Sequence, residues 1–171
     1  MRFGITLLLA FILTLFTSTA SANASEVDER SATQSVLSIR VIYGYSHDTM
    51  QGWETSTYRG KYFIPTQEGY RKCVQFRESR HRYGAANKTS SARGAYQFLD
   101  SQWREPLAHM VYPELRKIHG ESVAKDIKKT LFANPINKWS REIQDMAFYT
   151  VLNYNGMWSG KKHWYSYNKS C

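Results

Sequence analysis

Glu78 carries the best-placed acid chemistry in this sequence. It sits in Phe76-Arg77-Glu78-Ser79, near the end of a segment with helical spacing. A stretch rich in Gly, Asn, Ser and Ala follows over 81–95, then Gly94-Ala95-Tyr96-Gln97-Phe98 and Ser101-Gln102-Trp103. A carboxyl at a helix end facing a loop can be half in protein and half in solvent. Desolvation raises its pKa, so it stays protonated and can donate. Gln97 adds an uncharged amide that can orient the carboxyl or hold a hydroxyl-rich ligand. Gly94 lets backbone approach closely. On spacing alone, the plainer reading of Glu78 is a surface helix carboxylate paired with Arg77, Arg80 or Arg82.

Other chemistries lack their residues. The sequence has no Gly-x-Ser-x-Gly, Walker loop, Cys-x-x-Cys or His-Glu-x-x-His. His47, His81, His109, His119 and His163 show no i, i+4 pairing, so neither a metal nor a cofactor is expected.

The elements that must position Glu78 follow from periodicity. Pro65-Thr66 opens a helix, with Thr66 as N-cap. Tyr70, Cys73, Val74 and Arg77 fall at i, i+3, i+4 and i+7, and the helix runs to about Arg80. Residues 81–95 read as loop. Asp100-Ser101 caps a second helix through Trp103 and Leu107, which Pro106 bends or interrupts. Tyr112 to Ile118 reads as a short helix ended by Gly120, and Glu121 to Phe132 as another. The last helix has Ser140 as N-cap and a stripe at Ile143, Met146, Ala147, Thr150, Val151 and Tyr154, stopped by Asn155-Gly156. Upstream, 36–45 reads as a strand or extended arm and 46–65 as loop. The expectation is a mainly α fold: a small helical domain over 66–171 with a short extended N-terminal arm over 23–65.

The 171 residues carry a net charge of +9, with 42% hydrophobic and 15% aromatic residues. That is too apolar and aromatic for a disordered chain. The basic balance suits a polyanion: nucleic acid, an anionic membrane or a wall polymer. Met1-Arg2, an apolar run from Ile5 to Phe16, and the small residues Ala20-Ser21-Ala22 and Ala22-Asn23-Ala24 have the order of a signal peptide over 1–22. Cleavage after Ala22 would remove 22 residues and one cation, leaving 149 residues and +8. The chain would then be periplasmic or secreted, where nucleic acid is not the expected partner. In an oxidising compartment the even pair Cys73 and Cys171 is expected to form a disulfide.

The stretch 73–103 resembles the catalytic segment of the lysozyme-like superfamily, specifically lytic transglycosylases. The residues that carry the resemblance are Glu78-Ser79 at a helix end, Ala92-x-Gly94, Gly94-x-x-Gln97 and the following Trp103. Cys73 ahead of Arg77-Glu78-Ser79 is also similar to the resuscitation-promoting factors. Arg93-Gly94-Ala95-Tyr96-Gln97-Phe98 and Ser140-Arg141-Glu142-Ile143-Gln144-Asp145 resemble lambdoid-phage endolysins. Asn153-Tyr154-Asn155-Gly156 is similar to a Tyr-Asn-x-Gly motif that lines the cleft of soluble lytic transglycosylases. The likeness covers about 66–165.

The resemblance implies a lysozyme-like α+β fold and cleavage of the MurNAc-GlcNAc β-1,4 bond of peptidoglycan. It implies Glu78 as the single acid and base, giving 1,6-anhydro products. Ser79, Tyr96, Gln97, Tyr154 and Asn155 would contact substrate. Two other outcomes stay open: a hydrolysing muramidase using Glu78 and Asp100, since hydrolases generally use two carboxylates, and a non-catalytic wall-binding protein of the same fold. For Asp100 the plainer role is capping the helix at Ser101. Tyr83, Tyr96, Trp103, Tyr154, Trp158 and Trp164 suit sugar stacking, although core packing is the commoner fate of each. The expected partners are glycan strands, transient contact with a membrane or wall surface through basic charge, and a secretion or conjugation machine.

Overall fold

The computed structural model describes residues 53–154, Trp164 and Cys171, all within one compact unit, Val36–Cys171. The expected signal peptide, the 36–45 strand, Asn155 and Trp158 lie outside the described residues. A 3-10 turn at Pro65–Gln67 leads into α1, Glu68–Ser79. A two-stranded antiparallel hairpin follows, β1 (Ala92–Arg93) and β2 (Phe98–Leu99), in the register Ala92↔Leu99 and Arg93↔Phe98. Then come α2 (Asp100–His119), α3 (Glu121–Ala133), a 3-10 turn at Ile136–Lys138 and α4 (Arg141–Asn153). The described chain is mainly helical, as expected.

Three local expectations change. Thr66 is not a cap: it lies inside the 3-10 turn, and Gln67 holds the N-cap position without a side-chain bond. The segment 100–119 is one helix, not two, and it runs through Pro106 and Pro113. The prolines are seven residues apart and both exposed. The carbonyls they leave unpaired, four residues back, belong to Gln102 and His109, which are exposed too, so water can take those bonds. The opposite face buries Leu107, Ala108, Val111 and Leu115, and that burial outweighs two missing hydrogen bonds. Finally, part of the 81–95 loop is strand. Each strand has only two residues, too few to show alternation.

Ser140 does cap α4, its Oγ accepting from the Ile143 N–H at 3.4 Å. α4 is the central helix: every residue from Ile143 to Leu152 is buried. α2 packs on both α3 and α4. Residues 54–63 belong to this body as well. Tyr58 is buried and bonds Glu114 on α2, and the Tyr62 carbonyl accepts from Asn153. Cys73 on α1 is disulfide-bonded to Cys171, 98 residues away. Closing a loop of that length stabilises the fold by about 4–5 kcal/mol in chain-entropy terms. Trp164 is buried on the hairpin and α4, its Nε1–H donating to the Tyr96 carbonyl at 3.1 Å and its ring 4.8 Å from that of Phe148.

Candidate active site

Glu78 occupies the last turn of α1 and is half-buried. Arg71, Gln75 and Glu78 stand at i, i+4 and i+7, on one face of the helix. The helix stops one residue later without a glycine. Arg80 and His81 both adopt left-handed backbone, with φ of 57° and 64°. Their N–H groups return to the Phe76 and Gln75 carbonyls at 3.1 and 3.2 Å, closing the last turn. For residues with a Cβ this conformation costs about 1–2 kcal/mol each.

The hairpin turn is strained in the same way. Gln97 has φ of 50°, and its Nε2 donates to the Gly94 carbonyl at 2.8 Å. Arg80, His81 and Gln97 are the non-glycine residues with positive φ among those described. Gly94 itself has φ of 80°, and a Cβ there would sit 2.5 Å from Gln144 Oε1. That close approach lets Gln144 accept from the Ala95 N–H at 2.9 Å while its Nε2 donates to the Tyr83 and Trp139 carbonyls. α4 thus holds the hairpin turn in place.

A buried charged cluster joins this turn to α1. Asp145 is fully buried on α4. Its Oδ1 accepts from the Tyr83 and Tyr96 hydroxyls at 2.6 and 2.5 Å, and its Oδ2 from the Ser56 hydroxyl at 2.6 Å. Arg71, also fully buried, lies 3.6 Å from Asp145 Oδ1 and donates to Gln75 Oε1 at 2.9 Å and to Glu68 at 3.0–3.2 Å. Gln75 Nε2 in turn donates to the Tyr96 hydroxyl at 3.0 Å. Arg141 brings in the segment before α1, pairing with Glu54 at 2.6 Å. The Tyr96–Gln75 bond holds the hairpin against α1 one turn before Glu78.

The electrostatics follow from burial and pairing. Burial, then the Asp145 charge, raise the Tyr83 and Tyr96 hydroxyls far above the usual tyrosine range, so both remain donors. Burial pushes Glu68 up, but hydrogen bonds from Arg71 and Tyr149, with the charge of Arg71, hold its carboxyl below the usual range. Burial, then the cations Arg71 and Lys72, lower the His81 imidazole and keep it neutral.

These positions correct several expectations. Tyr96 is not a cleft residue. Its ring is buried against Phe148 at 4.4 Å and its hydroxyl is spent on the cluster, so it cannot stack on a sugar. Ser79 is buried, donating to the Gln75 carbonyl and accepting from the Arg82 N–H, both at 3.2 Å, so it secures the helix end rather than a ligand. Tyr83 and Trp164 are core residues, and Trp103 packs half-buried against the core. Asp100 is neither a helix cap nor open to solvent. It is buried at the first position of α2, accepts from the Ile136 N–H at 2.8 Å and is ion-paired to Arg104. Tyr154 ends α4 at the surface, 43% exposed, with its ring 6.1 Å from that of Tyr62.

Asp145 was absent from the sequence-based candidates. The available signal was a Gln-Asp pair inside a helix whose apolar residues fall on every side. On such a helix, a charged residue must find partners. Among the described residues no cluster of His, Cys, Asp and Glu could hold a metal, and no helix is long and apolar enough to cross a membrane. No family model, curated protein or solved structure matches the chain.

Proposed function

We propose that the chain is an exported lytic transglycosylase that cleaves peptidoglycan, with Glu78 as its acid and base. The observation that carries this reading is where the strained backbone falls. Two left-handed residues follow Glu78 within three positions, and the third is Gln97 itself. Such strain persists only where surrounding structure enforces it, and it gathers at functional sites. The half-burial of Glu78 leaves part of its side chain open to a ligand while α1 holds the rest in place.

In the proposed reaction, the Glu78 carboxyl gives its proton to the oxygen bridging N-acetylmuramic acid and the next sugar. The bond from C1 to that oxygen breaks, and the leaving sugar departs as an alcohol. The substrate's own N-acetyl group stabilises the cationic C1. The Glu78 carboxylate then takes the C6 hydroxyl proton as that oxygen bonds to C1. The 1,6-anhydro ring closes and Glu78 is protonated again. One carboxylate suffices. Asp100, the second carboxylate that a hydrolase would need, is taken up by Arg104 and the Ile136 N–H.

Digestion of purified peptidoglycan, with product masses read out, tests this. Wild type should release 1,6-anhydro muropeptides, each lighter by one water than a hydrolysis product. Glu78→Gln should lose at least about 100-fold in rate with unchanged folding by circular dichroism. Retained activity in Glu78→Gln would overturn the assignment, and free reducing ends would make the enzyme a hydrolase.

A further inference from the structure

The segment 72–93 contains six cations, Lys72, Arg77, Arg80, Arg82, Lys88 and Arg93, and one carboxylate, Glu78. Its net charge of +5 is more than half of the chain's +9. Two of the three cations of α3 are arranged differently: Lys125 pairs with Glu121 at 3.3 Å and Lys129 with Asp126 at 3.6 Å, while Lys128 lies over the Tyr112 ring at 4.3 Å. In the segment 72–93, the residues Arg80, Arg82, Lys88 and Arg93 pair with no carboxylate among the described residues.

Neutral groups hold three of them instead. The Arg80 guanidinium lies over the Phe76 ring at 4.5 Å. Arg82 donates through Nε to the Ser79 carbonyl at 3.1 Å. Arg93 uses one terminal nitrogen on the carbonyls of Asn87, Ser90 and Ala92 at 2.8–3.0 Å. These contacts leave the charge uncancelled and part of each donor fork unused. A guanidinium fork matches a planar carboxylate through two parallel bonds. Because the side chains are already fixed, an arriving anion does not have to order them.

We infer that this cationic rim recognises the free carboxylates of the peptides attached to the glycan. The protein then selects peptide-bearing strands over bare glycan. The inference rests on the reading that the ligand is peptidoglycan, and it adds which decoration of that polymer is recognised.

Binding in the cold, measured by co-sedimentation with insoluble peptidoglycan, tests it with cleavage products assayed in parallel. The polymers are peptide-bearing wall, wall stripped of peptides by an amidase, wall with its carboxyls amidated, and wall freed of phosphate polymers by acid. The Arg80→Gln/Arg82→Gln variant should bind peptide-bearing wall about fivefold more weakly at low salt. On stripped or amidated wall it should match wild type. Lys88→Gln, at an exposed position, should show the same pattern in smaller measure. Lys125→Gln/Lys129→Gln should bind like wild type throughout. Equal loss on stripped wall, equal loss in the α3 variant, loss that follows phosphate removal instead, or no binding by wild type would each overturn the proposal. Selective binding without 1,6-anhydro products would leave the rim standing and remove the enzymatic reading.

Discussion

Where α2 meets α3, the core is Leu107, Ala108, Val111, Leu115, Ala124, Ile127 and Leu131. Where α1, the hairpin and α4 meet, it is Arg71, Gln75, Tyr83, Tyr96 and Asp145, bonded to one another. Both regions are equally dry, but they do different work. Apolar packing is non-directional, so it supplies stability without fixing one geometry closely. A satisfied polar network is directional, and any displacement leaves a buried donor or acceptor unpaired. Glu78 and the hairpin turn hang from the polar half. The molecule places its strained backbone where hydrogen bonds, rather than methyl groups, set position.

Substitutions can break this contrast. Asp145→Ala takes the acceptor from three buried hydroxyls and one of two carboxylates from beside Arg71, and should destabilise by about 3–5 kcal/mol in urea unfolding. A loss below about 1 kcal/mol would show that the cluster is not a unit. Leu131→Ala in the apolar half should cost about 3 kcal/mol. Per folded molecule, it should keep the rate of the proposed wall cleavage, whereas Asp145→Ala should not. Equal rates in the two folded variants would erase the distinction.

Tyr96→Phe is milder. It removes one hydroxyl that donates to Asp145 and accepts from Gln75, and should cost about 1–2 kcal/mol. The smallest effect is on pH dependence. Glu68 is held below its ordinary value of 4.5 in the folded chain. A depressed carboxylate contributes stability that is complete above its unfolded pKa and is lost as pH falls through the folded one. Stability should therefore decline below about pH 4.5. Glu68→Gln should flatten that decline, and an unchanged acid limb would show that other carboxylates govern it.

The α4 helix and its Ser140 cap were legible in the sequence because a regular apolar spacing follows a strong cap signal, although the helix is buried on every side and not along that stripe alone. The Cys73–Cys171 bond was legible from the even cysteine count together with the expectation of an oxidising compartment. The continuity of α2 was not, because a proline is read as a break unless its face is known to be wet. The hairpin escaped because two-residue strands carry no period. At the site, Glu78 and Gln97 stood out by motif order. Tyr96 and Ser79 were misjudged because a motif shows neighbourhood in the chain, not which way a side chain turns. Asp145 was missed because its partners, Ser56, Tyr83 and Tyr96, lie 89, 62 and 49 residues away.

The Cys73–Cys171 bond also changes what a protease can do to this molecule. It closes residues 73–171 into a covalent ring, so one cut between the two cysteines yields a nicked molecule, not two fragments. On a gel the nicked form would run as one species without reductant and as two with it. In surroundings rich in proteases, a first cleavage in an exposed stretch such as 86–90 leaves α1, with Glu78, tethered to the helices that hold it.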